Sequence, residues 1–192
     1  IAVSNTCGLE KLKKIPNFSE IAKDVDFETG LLKENAVQFY HSILDAPSQE
    51  EIEEYILYGN QKLNEAGITG IQSDDLASLP GKKWRRILDA FQNLDREGKL
   101  TVRIYEQCLF ERTEDGKAFI REGFRTGQRG SFFTIGPLKM LQDGSLGAKT
   151  AALEEHYAED NENRGMIIYE QDELDDIIDF CDHHEMQTAI HC

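Results

Sequence analysis

The sequence predicts an α/β fold of parallel strands covered by helices, and three observations carry that expectation. Four short β-type runs, at 68–72, 100–105, 132–141 and 187–191, alternate with stretches of helical period. The helical stretches bring their own start and stop signals. Apolar residues make up 40% and charged residues 30% of 192, an ordinary globular balance in a chain long enough to bury a sizeable core. Periodicity leaves two arrangements open: a small doubly wound sheet, or part of a closed barrel.

Taken in order, residues 1–47 read as irregular, with turn signals at Pro16-Asn17 and Thr29-Gly30. Ser48 and Glu51 then form a capping box, each able to satisfy the other's free backbone N–H. Ile52, Tyr55, Ile56 and Leu63 line one face of the helix that follows, and Gly67 stops it. Ile68 to Gln72 is the first strand. A second helix runs from about Lys82 to Asp95, with Trp84, Ile87, Leu88 and Phe91 on its buried face and Gly98 past its end. Leu100 to Tyr105 is the next strand, Gly116 to Phe124 a short helix, and Phe132 to Leu141 a third strand. A polar loop spans Asp143 to Gly165, and Met166 to Tyr169 reads as a small strand at its end. Leu174, Ile177, Ile178 and Cys181 mark an amphipathic helix, and Gln187 to His191 closes the chain as a strand.

Charge excludes one class of partner. The formal net charge is −15, whereas a nucleic-acid binder needs clustered Lys and Arg to displace condensed counterions. The basic group Lys82, Lys83, Arg85 and Arg86 around Trp84 reads as a solvated helix start with one buried aromatic. Residues 154–185 hold thirteen acidic side chains and one arginine, Arg164. That pattern is read as solvated faces and loop, not as a cation-binding device. No nucleic acid and no anionic membrane is expected as a partner. No run approaches the ~18–20 apolar residues that cross a bilayer. Cys7, Cys108, Cys181 and Cys192 match no zinc-ribbon or redox spacing, so reduced thiols in a cytoplasmic protein are the simplest reading.

In both parallel architectures the working groups gather at the carboxyl ends of the strands. Those ends offer Gln72-Ser73-Asp74-Asp75, then Glu106 and Cys108, then Lys139 with Asp143-Gly144-Ser145, then His191-Cys192. Each has a plainer role available. A strand lysine usually snorkels outward, a lone strand-end histidine is usually structural, and Asp-Gly is usually a turn. Asp74-Asp75 is best read as a helix N-cap. His191 and Cys192 cannot act as base and nucleophile, because neighbours on a strand point to opposite faces.

Read together, these residues resemble one family. Leu138-Lys139-Met140, followed by Asp143-Gly144-Ser145-Leu146-Gly147-Ala148-Lys149-Thr150-Ala151-Ala152-Leu153, resembles a signature stretch of amidohydrolase family 3. Thr29-Gly30-Leu31-Leu32-Lys33-Glu34-Asn35-Ala36 is similar to another of its segments. Gly67 to Ile71 resembles its second barrel strand, Thr188 to His191 its fifth, and Ile1 to Asn5 a further segment. The resemblance thus covers essentially the whole chain, in order.

It implies a (β/α)8 barrel of the TIM type, with residues 1–47 part of the insertion or cap region before barrel strand two. Residues 48–192 would be the central half of the barrel, about strands two to five. In such proteins divalent metals, zinc above all, sit at the C-terminal mouth. The ligands are a His-x-His on the first strand, a Lys or acidic residue on the fourth, histidines on the fifth and sixth, and an Asp on the eighth. Lys139 matches the fourth-strand position and His191 the fifth. Lys139 would ligate as a CO2-derived carbamate and His191 through a neutral imidazole nitrogen, while Asp143, Gly144 and Ser145 would bind substrate or form the loop. Metal-activated water would hydrolyse a C–N bond in a small-molecule amide, formamide or cyclic amide.

The sequence departs from that pattern in lacking a His-x-His; His183-His184 are adjacent and helical. The sixth-strand His and the eighth-strand Asp fall beyond Cys192, so no catalytic residue is expected within the chain. Opening on Ile1, with no signal-peptide pattern, it reads as a piece of something longer. With two ligands where zinc hydrolases use three and an open position, the piece alone is expected to be inactive. Its open sheet edges should pair with the remainder of the parent chain or with another copy. The contrasting reading is an acidic stand-alone α/β binding or interaction module without metal chemistry.

Overall fold

A computed structural model describes residues 2–16, 18–33, 36–37, 46–79, 83–110, 112–158 and 160–192. Ile1, Asn17, Glu34, Asn35 and Lys82, all used in the sequence reading, lie outside the described residues. The chain divides into two compact units, Ile1–Pro47 and Ser48–Cys192.

The first unit has more regular structure than its sequence suggests. Strand β1 (Ala2–Val3) pairs antiparallel with β2 (Leu31–Leu32), and between them lie helices α1 (Thr6–Leu12) and α2 (Phe18–Ile21). Asn5 caps α1 by accepting from the Gly8 N–H at 2.9 Å. Leu9, Leu12, Ile21, Val25, Leu32 and Ala36 bury one another. Segments this short give no readable period, so packing rather than pattern makes them helical. Gly30 takes φ +77°, and a Cβ there would meet the Ser4 carbonyl oxygen at 2.2 Å.

The second unit is the larger. It runs α3 (Gln49–Glu65), β3 (Gly70–Ser73), α4 (Trp84–Arg96), β4 (Arg103–Leu109), α5 (Thr113–Arg121), β5 (Phe133–Leu141), α6 (Gln171–His183) and β6 (Thr188–His191). The capping box of α3 is formed, with Glu51 N–H donating to Ser48 Oγ at 3.1 Å and Ser48 N–H to Glu51 Oε2 at 2.6 Å. Gly67 and Gly98 take positive φ just past α3 and α4. Helix α5 begins three residues earlier than its pattern indicates, and β4 runs on to Leu109 rather than stopping at Tyr105. The 166–169 run contributes a single antiparallel bridge, Ile167 to Asp143, instead of a strand.

All strand pairs in the four-stranded sheet are parallel, in the order β3-β4-β5-β6. A doubly wound sheet must turn back past its first strand. Here each strand lies beside its predecessor, which is the winding of a barrel. The unit is therefore part of a (β/α)8 barrel, four parallel strands with helices on one side. The core lies between sheet and helices, where Trp84, Ile87, Leu88, Phe91 and Leu94 of α4, Phe119 and Ile120 of α5, and Ile177 and Cys181 of α6 meet Ile104, Phe133, Ile135 and Met140. Trp84 packs T-shaped against Phe110 and Phe119, and Arg85 lies over its ring at 4.5 Å. The basic group is thus a helix start with a buried aromatic.

Side chains at the helix ends and loops fix where each strand begins. Asn60 of α3, itself buried, accepts from the N–H groups of Thr101 and Val102, both at 3.1 Å, as the chain enters β4. Asp95 of α4 accepts from Ser131 and Phe132 at 3.0 and 2.7 Å at the entry to β5. Thr126 Oγ1 accepts from Gln187 N–H at 2.9 Å at the entry to β6. In each case a polar group on one helix–loop segment sets the start of the strand after next.

Replacing Asn60 with Ala orphans two N–H groups, one of them in the core. Asn60→Ala should destabilise the protein by about 2 kcal/mol, read as a lower urea midpoint with an unchanged slope. An unchanged midpoint would mean water or the backbone replaces the side chain.

Candidate functional site

Strand β5 changes phase halfway along. Between the pairs Glu106↔Ile135 and Cys108↔Leu138, β4 advances two residues and β5 three. The extra residue lies at Gly136-Pro137, and such a bulge exchanges the faces of everything beyond it. Ile135 and Leu138 both point into the helix-covered core, and so does Met140. Lys139 therefore turns to the opposite, inner face, half-buried, beside its partners Leu109 and Ala189. Glycine is required at the bulge: a Cβ on Gly136 would lie 2.6 Å from the Glu106 carbonyl oxygen and 2.8 Å from the Tyr105 ring.

Strand β6 brings the second candidate to the same face. Leu141 pairs with His191 and Lys139 with Ala189, while Ile190 packs toward the core. Lys139 and His191 thus share the inner face at the carboxyl ends of adjacent strands, one strand apart and two residues along. Among the described residues no carboxylate forms an ion pair with Lys139.

Asp143 and His191 are joined, an arrangement the sequence reading did not anticipate. His191 Nδ1 lies 2.8 Å from Asp143 Oδ1, and the two side chains are 47% and 6% exposed. Asp143 Oδ2 accepts from the Ala152 N–H at 2.9 Å. That bond is the main influence holding the Asp143 carboxyl below its ordinary range, ahead of His191 and against the opposing effect of burial. The partners are 48 residues apart, so no local pattern could have signalled them.

The signature stretch is the fold that makes this pair possible. Gly144 N–H donates to the Thr150 carbonyl at 3.2 Å, Ser145 N–H to Thr150 Oγ1 at 3.0 Å, and Ala151 N–H to the Ser145 carbonyl at 3.2 Å. Gly144 has no room for a side chain, since a Cβ would meet Thr150 Oγ1 at 2.0 Å. Gln142 anchors the base of the loop by donating to the Tyr169 carbonyl at 2.9 Å. Gly144 and Ser145 are thus occupied in closing the loop.

A second chemical feature lies behind the sheet. Glu106 is fully buried on the core side of β4, with Oε1 accepting from the Leu76 N–H at 3.2 Å. Its Oε2 has no hydrogen-bond partner among the described residues. Burial first, then the nearby charge of Asp75, pushes its pKa up to about 8. Glu106 also replaces the N-cap expected of Asp74, whose side chain makes no cap bond to the turn at Asp75–Ala77. Asp75 instead accepts from Ser73 Oγ.

The remaining candidates have plain roles. His183 and His184 bond through Nδ1 to the carbonyls of Asp179 and Phe180 at 2.6 and 2.7 Å. All four cysteines are free thiols; Cys108 and Cys181 are buried, and burial raises both, Cys181 to about 11. Among the described residues no three His, Cys, Asp or Glu side chains come together as a metal-binding group. The inner face offers an imidazole beside a carboxylate and, among the described residues, a lysine without an ion-pair partner. No helix among the described residues is long and apolar enough to cross a membrane.

Comparison with known proteins agrees with this fold. Residues 7–192 match the model of the Amidohydrolase family. The chain is 24% identical over 196 residues to the Bacillus subtilis (strain 168) protein "Putative amidohydrolase YtcJ", covering 99% of this chain and 35% of that protein. An uncharacterized metal-dependent hydrolase from Pyrococcus horikoshii OT3 superimposes with a TM-score of 0.76 at 26% identity, over 99% of this chain and 36% of that one. One from Pyrococcus furiosus superimposes at 0.72 and 23% identity, over 99% of this chain and 38% of that one, and shares its fold. The chain therefore spans little more than a third of the length of the relatives it matches.

Glu106 makes stability depend on pH. Its folded pKa of about 8 lies above the usual 4.5, so its contribution is fully present below pH 4.5 and lost as pH rises through 8. Glu106→Gln keeps the acceptor for Leu76 and cannot ionise. The wild type should lose stability relative to Glu106→Gln between pH 5 and pH 9 in thermal unfolding; parallel curves would show that Glu106 is not protonated in the fold.

Proposed function

The chain belongs to the amidohydrolase family, and from that premise we propose that it forms the central part of a metal-dependent hydrolase cleaving C–N bonds. The substrates in this reading are small amides, formamides or cyclic amides. One observation carries it: Lys139 and His191 stand on the same inner face at the carboxyl ends of neighbouring parallel strands, where barrel enzymes keep their chemistry. Lys139, as a carbamate formed with CO2, and His191, through a neutral ring nitrogen, would hold a divalent metal, zinc in this proposal. When bound, that metal supplies Lewis-acid activation of water and of a carbonyl oxygen.

The chain's own residues do the positioning. The bulge at Gly136-Pro137 aims Lys139 inward, and the 143–152 loop forms the rim of the mouth beside His191. Two donors fall short of the three protein ligands and open position of zinc hydrolases, so the 192 residues alone are proposed to be inactive. Residues 1–47 are assigned to the cap region, and the outer edges of β3 and β6 to pairing with the rest of the barrel. The free thiols are the ground for placing the protein in the cytoplasm.

Plasma mass spectrometry on the whole protein, in bicarbonate-supplemented buffer, tests this. The wild type should hold stoichiometric divalent metal, and Lys139→Ala and His191→Ala should each lose most of it with circular dichroism unchanged. Full metal content in both variants would remove these two residues from the site and the mechanism with them.

A further inference from the structure

We propose that the mouth receives a substrate with an apolar group beside the scissile bond, and that Ile167 is a specificity-determining residue for it. This rests on the reading of Lys139 and His191 as metal donors. The strand residues around those donors are apolar: Leu109 and Ala189 flank Lys139, and Leu141 pairs with His191 on the inner face. Leu141 is 38% exposed at the end of its strand. Ile167 reaches the same place from the rim. It opposes Asp143 in an antiparallel bridge, beside which the Ile168 N–H donates to the Gln142 carbonyl at 2.9 Å. Opposed residues of antiparallel segments point to one side. Asp143 extends to His191, with Oδ1 and Nδ1 2.8 Å apart, so Ile167 stands on the histidine's side of the loop.

Ile167 is 65% exposed, and its backbone is held there from both sides. The Met166 N–H donates to the Thr150 carbonyl at 3.0 Å, and the Tyr169 N–H to Gln142 Oε1 at 3.2 Å. Gly165, at φ +83°, packs so closely that a Cβ would meet the Ala151 carbonyl oxygen at 1.9 Å. An isoleucine fixed in this way cannot fold back into the core, and it keeps apolar surface in water. Leu146 and Met166 of the same loop are exposed as well. Apolar surface gathered beside a few polar groups is the composition of a small-molecule site. In this arrangement the metal donors face the amide, while Leu141 and Ile167 face the alkyl or aryl group next to it. A charged group at that position would lose its water against two hydrocarbon side chains.

Hydroxamates chelate divalent metals through their two oxygens, so a pair differing only in chain length reads the apolar wall without a known substrate. Acetohydroxamate and hexanohydroxamate, titrated calorimetrically into the whole zinc-loaded protein, make that pair. Hexanohydroxamate should bind about 10-fold tighter. Ile167→Ser should reduce this preference about fivefold, with acetohydroxamate affinity and the unfolding midpoint retained, and Ile167→Leu should preserve it. Equal affinities in the wild type, or a preference that survives Ile167→Ser, would overturn the apolar wall while leaving the hydrolase reading in place. A protein that takes up no zinc, or that binds neither hydroxamate once loaded, would instead overturn the hydrolase reading, and this proposal with it.

Discussion

The whole inner face of the site depends on one surplus residue in β5. Parallel strands hold their neighbours in step, and a strand that kept its alternation from Phe133 onward would carry Lys139 into the helix-packed core. A lysine there would need a partner for its ammonium, and the apolar helices provide none. The bulge at Gly136-Pro137 removes the conflict locally, and glycine is what lets β4 and β5 remain close across it. The register of β6 then follows from β5, so the orientation of His191 is set by the same irregularity.

Much of this was legible in the residues. Capping signals located α3, and Gly67 and Gly98 marked where helices end, because those effects act within one turn of chain. The count and order of strands followed from alternation, but only the observed pairing separated a barrel from a doubly wound sheet. Lys139 and His191 were reachable by looking at strand ends and by family resemblance. The bulge was not, since Leu138-Lys139-Met140 reads as ordinary alternation on either face. Nor was the Asp143–His191 pair, which exists only once a long loop has closed. Glu106 was noted as a strand-end residue, yet its burial on the core side is set by neighbours on β3 and its following turn.

Glu106 and Asp143 show how differently two buried carboxylates can be accommodated. Asp143 has a polar partner for each oxygen, and the Ala152 N–H holds its carboxyl below the ordinary range. Glu106 has one hydrogen-bond donor among the described residues, an apolar surround and an acidic neighbour, and burial with that neighbour pushes its pKa up to about 8. The first lies beside the strand-end histidine; the second holds the turn after β3 from within the core.

The sequential order of the sheet bears on how the molecule is made. After β3, each strand of the four-stranded sheet docks beside one that left the ribosome earlier: β4 beside β3, β5 beside β4, β6 beside β5. No strand waits for a later one to separate it from its neighbour. Assembly can therefore proceed as vectorial accretion during synthesis, each helix–strand unit closing a loop of modest length before the next emerges. Throughout that process the growing end of the arc presents one fresh strand edge until the following strand arrives.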